Sequence, residues 1–250
     1  RPGVIRRLLQ KLRLDQASGP DEISARFLRT LAEALGLPLA ILCRRIFAEA
    51  SWPALWRIHN LVPLFKKGSA YLPNNCRGIH LTCILSKVVE RMICQPLVPF
   101  LESRGFGNSQ WAFRKKSSAR DLVTVYIARW VLLICRGNKT GIYLSDIAGA
   151  FDRVSRTLLI GKPSRLGLPH SYLDFLNSFL LAGECFVSVE GVTSIGMIPS
   201  GKVFQGTVLG PSLWNAFFGV VAIEVTEGNQ ITNLLADVLT AETYAPCNVA

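Results

Sequence analysis

Two aspartates stand where a pair of carboxylates could bind metal ions. Asp146 ends residues 141–145, whose alternating aromatic and branched side chains predict a buried strand, and Asp237 follows a weaker strand candidate at residues 230–235. Paired carboxylates can hold two Mg²⁺ ions about 3.5–4 Å apart, which clamp the attacking and leaving oxygens of a phosphoryl transfer. Because an aspartate at a strand end is also a common turn former, spacing alone does not decide between the two interpretations.

A second candidate for phosphate chemistry lies at residues 196–203, which have the G-x-x-x-x-G-K shape of a phosphate-binding loop. The motif fails at its last position, because Val203 stands where a Ser or Thr hydroxyl would bind Mg²⁺. Residues 192–195 also make a poor strand, although such a loop needs a strand in front of it. The sequence therefore disfavours a nucleoside triphosphatase of this type.

Positive charge is concentrated in the first half of the chain. The 250 residues carry a net charge of +11, but residues 1–120 alone hold 20 basic and 7 acidic side chains, a net +13. Basic clusters fall in predicted turns near Trp111 and Phe113, a mixture of charge and stacking surface that suits single-stranded nucleic acid. They comprise Lys66, Lys67, Arg77, Arg114, Lys115, Lys116 and Arg120. A solvated surface is the alternative, and the net +13 argues against it.

Composition and cysteine usage exclude several classes of protein. Hydrophobic residues make up 50% of the chain and charged residues 18%, which argues against disorder. The seven cysteines are an odd number without a C-x-x-C pair, and the three histidines are scattered. The sequence thus predicts neither a disulfide framework nor a zinc module, and it favours a reduced intracellular setting.

No membrane attachment is predicted. The basic start of the chain is not followed by the apolar run of a signal peptide. Residues 203–223 carry no charge over 21 positions, but Gln, Gly, Pro and Asn residues interrupt them, so we interpret them as a buried turn and helix. The absence of an initial Met and the abrupt end suggest a fragment.

The elements that must position these residues are predicted from periodicity. Helical spacing covers residues 22–49, as two helices broken near residues 36–38, and residues 121–135, and a further helix is expected at about 148–160. Strands are predicted at residues 57–65 and 185–189, the latter in a hairpin. The expected fold is α+β, with a small sheet and many helices in subdomains that share one fold.

Several motifs, which follow one another along the chain in the family's order, resemble those of the reverse transcriptases of non-LTR (LINE-type) retrotransposons. Residues 144–154, LSDIAGAFDRV, match the D-x-x-x-x-F-D motif of the palm, and residues 205–215 are similar to the next motif, P-Q-G-S-V-L-G-P-L-L-x-N, with Phe204 in place of Pro. The other matching stretches are GPD at 19–21, VPLFKKG at 62–68, NCRGI at 75–79 and QWAFR at 110–114, followed by Ser118 and Asp121. Ala112 and Lys116 depart from that last motif. The resemblance covers about residues 19–240.

This resemblance implies a polymerase fold made of fingers and palm subdomains, with a small antiparallel sheet packed against helices. Residues 1–140 would form a basic, fingers-like region that leads into the palm, and residues 141–250 would form the palm. A thumb subdomain, which grips the primer–template duplex, is not expected in this chain, since the chain ends about ten residues after the last motif. The sequence therefore looks like a truncated or decayed copy.

The resemblance also implies an activity and assigns roles. The expected reaction is RNA-directed DNA synthesis, in which a primer 3′-OH attacks a deoxynucleoside triphosphate (dNTP) on an RNA template with two Mg²⁺ ions, or Mn²⁺ as the alternative. Asp146 and Asp237 would be the catalytic metal ligands. The dNTP would be bound by Lys66, Arg77, Phe151, Gln205 and Gly206. Template and primer would be bound by Lys67, Arg114, Lys115 and Lys116.

One departure from the family concerns the second catalytic acid. Where the family has aromatic-Ala-Asp-Asp, this chain has Leu235-Ala236-Asp237-Val238, and Val238 has no side-chain oxygen. The alternative is therefore a catalytically inactive remnant that still binds nucleic acid. On either interpretation Asp146 and Asp237 should lie on neighbouring strands, with Cα atoms within about 12 Å, since a shared ion needs oxygens at about 2.0–2.6 Å.

Overall fold

The chain contributes two separate stretches to each of two structural units in the computed structural model. The first unit is formed by Arg1–Leu97 and Phe151–Gly210, and the second by Val98–Ala150 and Pro211–Ala250. The structure describes residues 1–69, 71–104, 110–114, 116–146, 155–199, 206–225, 231–235 and 238–246. The boundary predicted near residue 140 separates polymerase subdomains, fingers from palm, and is not a boundary between these two structural units. It therefore stays a prediction.

In the part of the chain that the structure describes, helices and strands of similar number confirm the α+β class. The helices are α1 (Pro2–Gln10), α2 (Ala25–Thr30), α3 (Ala32–Ala48), α4 (Ile84–Arg104), α5 (Ala119–Cys135), α6 (Arg156–Arg165), α7 (His170–Phe179) and α8 (Gly210–Val225). The strands are β1 (His59–Phe65), β2 (Cys76–Leu81), β3 (Asn138–Asp146), β4 (Cys185–Val189), β5 (Val192–Thr193), β6 (Ile231–Leu235) and β7 (Val238–Pro246). Within the described ranges, no helix has the length and apolar content that a membrane span requires.

The core of the first unit is built where α1 and α3 meet the start of α4. Ile5 and Leu9, one helical turn apart on α1, are fully buried against Leu39 of α3 and Val88 of α4. A second apolar cluster joins α3 to α7 through aromatic rings, which are those of Phe47, Trp52, Trp56, Tyr172, Phe175 and Phe179. Apolar contacts thus join α1, α3, α4 and α7 within the first unit.

The break between the two helices predicted in residues 22–49 lies at Leu31, earlier in the chain than the predicted position near residues 36–38. Ser24 caps α2, its Oγ accepting a hydrogen bond from Phe27 N–H at 3.2 Å, and α2 ends at Thr30. The next helix, α3, then runs through Pro38 without interruption. A proline ring removes only one backbone hydrogen bond from a helix, and the burial of Leu39, Ala40 and Ile46 beyond it offsets that loss.

The first unit contains a four-stranded sheet in the order β2-β1-β4-β5. Strands β1 and β2 form an antiparallel hairpin, and β4 and β5 form the predicted second hairpin. The pair β1–β4 is parallel, so this sheet is mixed and the expectation of an antiparallel sheet is wrong here. The reason is topological: more than a hundred residues separate β1 from β4, so no short turn constrains them to run in opposite directions.

The second unit contains the expected antiparallel sheet, in the order β3-β7-β6. Helix α5 precedes β3 and starts at Ser118, whose Oγ accepts from Asp121 N–H at 3.2 Å and donates to Asp121 Oδ2 at 2.6 Å. The helix predicted at about 148–160 is described only from α6 onward, since residues 147–154 lie outside the described residues. The strand that delivers Asp146 is confirmed.

Candidate active site

The backbone register of the second sheet brings Asp146 beside the segment that contains the other predicted acid. Asp146 is the last residue of β3 and pairs with Val238, the first residue of β7. Val238 also pairs with Leu235, the last residue of β6, so only residues 236 and 237 connect β6 to β7. Asp237 lies outside the described residues, and its distance from Asp146 stays a prediction.

Three further predicted site residues also lie outside the described part of the chain. They are Phe151, Gln205 and Lys115. The predicted residues whose surroundings the structure does describe are Lys66, Lys67, Arg77, Arg114, Lys116 and Gly206. They divide between the two units, with Arg114 and Lys116 in the second.

Gly206 occupies a position that only glycine fits. Its φ is +119°, and a Cβ added there would lie 2.5 Å from the backbone oxygen of His80 on β2. L-residues with a side chain rarely adopt this conformation, and the neighbouring backbone atom cannot move aside easily. The glycine predicted from the motif therefore has a structural reason, which is close approach to β2.

The residues after Gly206 are held by a buried carboxylate. Glu90 of α4 is 1% exposed, and its Oε2 accepts hydrogen bonds from the N–H groups of Val208 at 2.6 Å and Leu209 at 3.1 Å. Burial raises the pKa of Glu90 to about 7, against the effect of these two donors. Glu90 thus satisfies backbone donors just before α8 begins, where a helix leaves its first N–H groups without intrahelical partners.

Sequence reasoning missed Glu90. The available signal was an acidic residue inside an apolar stretch, between Val89 and Ile93, where an unpaired carboxylate would be costly to bury. Its partners lie 118 and 119 residues away in the chain, so nothing local identifies them.

Lys66 and Arg77 lie on the β1–β2 hairpin of the first sheet. Arg77 pairs with Leu64, and Lys66 follows two residues after Leu64, so alternation places Lys66 and Arg77 on the same face. The N–H of Lys66 donates to the backbone oxygen of Asn75 at 2.8 Å, which closes the hairpin loop. Both side chains are exposed. Gly206 packs on His80, three residues or about 10 Å along β2 from Arg77, within the same unit.

The QWAFR segment is fastened to α8 in the second unit. Gln110 Oε1 accepts from Ala112 N–H at 2.9 Å, and Arg114 Nη1 donates to the Gln110 backbone oxygen at 3.1 Å. The fully buried Asn215 of α8 donates from Nδ2 to the Ala112 backbone oxygen at 2.8 Å. Two motifs about a hundred residues apart are thereby joined, and Phe113 stays 52% exposed between Ala112 and Arg114.

Ala112 and Lys116, the two departures from this motif, have different backbone conformations. Lys116 has a φ of +61°, a region that favours glycine, whereas Ala112 is not among the residues with positive φ. The alanine therefore causes no backbone strain. The exposed Lys116 side chain keeps a positive charge next to this segment.

Comparison with known proteins identifies the class to which this fold and these motifs belong. Residues 65–240 match the sequence profile described as reverse transcriptase (RNA-dependent DNA polymerase), and the chain belongs to that family. The RNA-directed DNA polymerase from the mobile element jockey of Drosophila melanogaster is 30% identical over 217 residues, and the probable RNA-directed DNA polymerase from transposon BS of the same species is 28% identical over 211 residues. The resemblance to non-LTR retrotransposon enzymes is confirmed.

The chain spans about a quarter of the length of these relatives. The matches cover 85% and 84% of this chain but 23% of each relative. Among solved structures, an apo telomerase from Candida tropicalis, truncated from its C-terminal domain, is similar with a TM-score of 0.55 at 12% identity. That match covers 93% of this chain and 52% of the telomerase chain, and it supports the polymerase fold.

Proposed function

We propose that this chain carries the fingers and palm of an RNA-directed DNA polymerase, which extends a primer 3′-OH with dNTPs on an RNA template. The observation that carries the proposal is the pairing of Asp146 with Val238, the residue that follows Asp237. Family membership supplies the reaction class. The fingers would be residues 1–140 and the palm residues 141–250.

Asp146 and Asp237 are the proposed catalytic residues and metal ligands. Carboxylate oxygens are hard donors that suit Mg²⁺, with Mn²⁺ as the alternative, and the β3–β7 register supports a common position for the two acids. Two such ions, when bound, would neutralise the charge that develops on the attacking and leaving oxygens. The contribution of the chain itself would be to hold the two acids in fixed positions, which limits the reorganisation needed during reaction.

The proposed dNTP site uses residues of the first unit, on the β1–β2 hairpin and in the motifs that follow β3. Arg77 and Lys66 would bind the triphosphate, since both are exposed on one face of the β1–β2 hairpin. Phe151 would pack under the sugar and exclude a 2′-OH. Gln205 and Gly206 would form the turn beside the template, and Glu90 would act as a positioning residue for that turn through Val208 and Leu209.

Nucleic acid would be bound by basic side chains and by an exposed aromatic ring. The proposed contacts are Lys67, Arg114, Lys115 and Lys116, and the ring of Phe113, which is 52% exposed, would stack on a base. Arg114 is held in place by its hydrogen bond to Gln110, so its position depends on the fold of the QWAFR segment.

A second candidate function is nucleic-acid binding without catalysis. Val238, the register partner of Asp146, provides no oxygen for a metal ion at the position where the family has an aspartate. The same basic residues would still bind RNA or DNA. The two candidates therefore differ in catalysis and agree on the ligand.

The experiment that separates them restores the acid. The chain replaces the corresponding region of a longer active relative, because it spans about a quarter of such proteins. Primer extension on an RNA template with Mg²⁺ is compared for this graft and its Val238→Asp variant, with Asp146→Asn as the inactive control. We expect Val238→Asp to increase the rate by roughly 10²–10³, the effect of one preorganised electrostatic group.

Each result of this experiment bears on one of the two functions. Equal extension by both forms would show that the second acid is dispensable and would contradict our account of Val238. If neither form extends primers while the parent relative does, the inactive binding function is the better explanation, with Phe204 and Lys116 the next substitutions to reverse.

A further inference from the structure

Two histidines and a cysteine from three strands meet in the first unit. In the sequence His59, His80 and Cys185 are separated by 21 and 105 positions, and no local motif connects them. In the structure the ligand atoms of the three side chains all lie within 4.8 Å of one another. The scattered histidines and cysteines of the sequence predict no such cluster, whereas the described residues bring these three side chains together.

Strand register explains why these three side chains converge. Cys185 of β4 is the pairing partner of His59 on β1, so both side chains project from the same face of the sheet. Leu61 lies two residues after His59 on that face, and its partner on β2 is His80. The cluster is thus a property of three adjacent strands, β2, β1 and β4.

The cluster is largely buried. His59 is 1% exposed and Cys185 is 3% exposed, while His80 is partly buried. The two imidazole rings have centroids 4.6 Å apart and planes inclined by 60°. Burial lowers the pKa of both histidines, and the charge of His59 adds to this effect at His80.

A backbone contact fixes the tautomer of His59. Its Nδ1 lies 3.0 Å from the backbone oxygen of Arg57. A carbonyl oxygen can only accept, so Nδ1 carries the proton and the acceptor nitrogen of the neutral ring is Nε2. Histidines that bind metals through one ring nitrogen generally donate from the other to a carbonyl or a carboxylate, an arrangement that orients the ring.

We propose that His59, His80 and Cys185 form a binding site for one Zn²⁺ ion. Two imidazole nitrogens and a thiolate are a borderline-soft donor set that suits zinc and is unsuited to Mg²⁺. With bonds of about 2.0–2.1 Å to nitrogen and 2.3 Å to sulfur, tetrahedral zinc needs these atoms about 3.3–3.6 Å apart, which small side-chain rotations provide. Three protein ligands leave the fourth position to water. Binding releases the thiol proton to solvent, so the ion is held as a thiolate complex.

The ion would cross-link strands that are distant in the chain. It would fasten β4 to the β1–β2 hairpin along their parallel pair, which is three residues long in register. A ligand that binds the folded state and not the unfolded state raises stability, so Zn²⁺ should raise the melting temperature of the chain. The three ligands belong to the first unit and the proposed catalytic aspartates to the second, and the test does not depend on the polymerase reaction.

The test uses the full chain after removal of metals with a chelator. Zn²⁺ is titrated in competition with a chromophoric chelator in excess Mg²⁺, and Co²⁺ is then substituted to give a spectrum. We expect one Zn²⁺ per chain, a higher melting temperature, and a tetrahedral cobalt spectrum with a thiolate-to-cobalt charge-transfer band. Cys185→Ser should remove that band and weaken zinc binding by at least about tenfold, and His80→Gln should weaken binding similarly.

Matched variants control for other thiols and imidazoles. Cys83→Ser changes another buried cysteine of the same unit, and His170→Gln changes an exposed histidine, and both should leave affinity and spectrum unchanged. Absence of stoichiometric Zn²⁺ binding by the folded wild-type chain would overturn the proposal. So would a Cys185→Ser protein that keeps the charge-transfer band. If Cys185→Ser does not fold, His80→Gln is used in its place. Loss of tetrahedral cobalt binding in His80→Gln supports the site, and retention of that binding refutes it.

Discussion

At the scale of single residues, the turn that starts at Gly206 shows how one missing side chain permits a contact between distant segments. The Gly206 backbone lies against the His80 carbonyl in a conformation that side chains rarely adopt. Any Cβ would therefore have to move β2 or the turn itself. Because His80 is also part of the His59–His80–Cys185 cluster, a shift of β2 would reach that site as well.

We expect Gly206→Ala to lower the free energy of unfolding by about 1–3 kcal/mol, because the new methyl group meets backbone at a strained φ. Urea denaturation followed by circular dichroism measures this change. The matched control is Gly161→Ala on α6, where an added Cβ meets nothing within 4 Å. That variant should be neutral or more stable by up to about 1 kcal/mol. Equal effects at the two positions would refute the importance of the close approach to His80.

At the scale of elements, α4 connects the core of the first unit to the turn before α8. Val88 packs in the core, and Glu90, two residues later, accepts the N–H groups of Val208 and Leu209. The carboxyl is buried among groups that include Lys87 and Arg91 of the same helix, both of which lower its pKa, but burial has the larger effect. The helix therefore acts as a support for the turn and carries a pH-sensitive group.

The pKa of Glu90 predicts a pH dependence of stability. Because its pKa rises from 4.5 to about 7 on folding, the stability associated with the protonated group is complete below pH 4.5 and is lost as pH rises through about 7. Glu90→Gln does not titrate. Relative to this variant, the wild-type chain should lose on the order of 3 kcal/mol in free energy of unfolding between pH 4.5 and pH 8.

Urea denaturation across this pH range measures the difference between the two proteins. Glu102→Gln, on the same helix and partly exposed, is the matched control and should not reproduce the trend. A constant difference between wild type and Glu90→Gln at every pH would contradict the predicted titration.

At the scale of the whole molecule, positive charge is concentrated in the first half of the chain, which suits binding to a polyanion. The net +13 of residues 1–120 contrasts with a net −2 in residues 121–250. Basic side chains that neutralise phosphates release counterions, so affinity for nucleic acid depends steeply on salt. The exposed Phe113 beside Arg114 adds a surface on which an unpaired base can stack.

Binding to single-stranded RNA should therefore weaken as salt increases. Arg114→Ala should reduce the slope of log K against log salt concentration by roughly 0.7, the value for one phosphate contact on a single strand. Lys115→Ala should have a similar effect. Fluorescence anisotropy with a labelled RNA at several salt concentrations measures the slope. Arg165→Ala, an exposed arginine in the less basic half, should leave it unchanged, and an affinity independent of salt would refute the electrostatic interpretation.

The sequence alone determined the parts of this protein that depend on neighbours in the chain. The alternation in residues 141–145 predicted the strand that ends in Asp146, and β6 follows its weaker pattern as well, because side-chain period and turn residues are local properties. The ordered motifs also identified the family. The roles of Asp237, Phe151, Gln205 and Lys115 still depend on that resemblance, since these residues lie outside the described part of the chain.

The tertiary structure decided what depends on partners that are distant in the chain. The parallel pairing of β1 with β4, the hydrogen bonds of Glu90 to Val208 and Leu209, and the convergence of His59, His80 and Cys185 all arise from packing and register between distant segments. A local pattern shows which face of a strand a residue occupies, but it contains no information about which strand lies beside it. His59 and His80 therefore look unrelated in the sequence, and only the strand order β2-β1-β4 brings these two histidines together with Cys185.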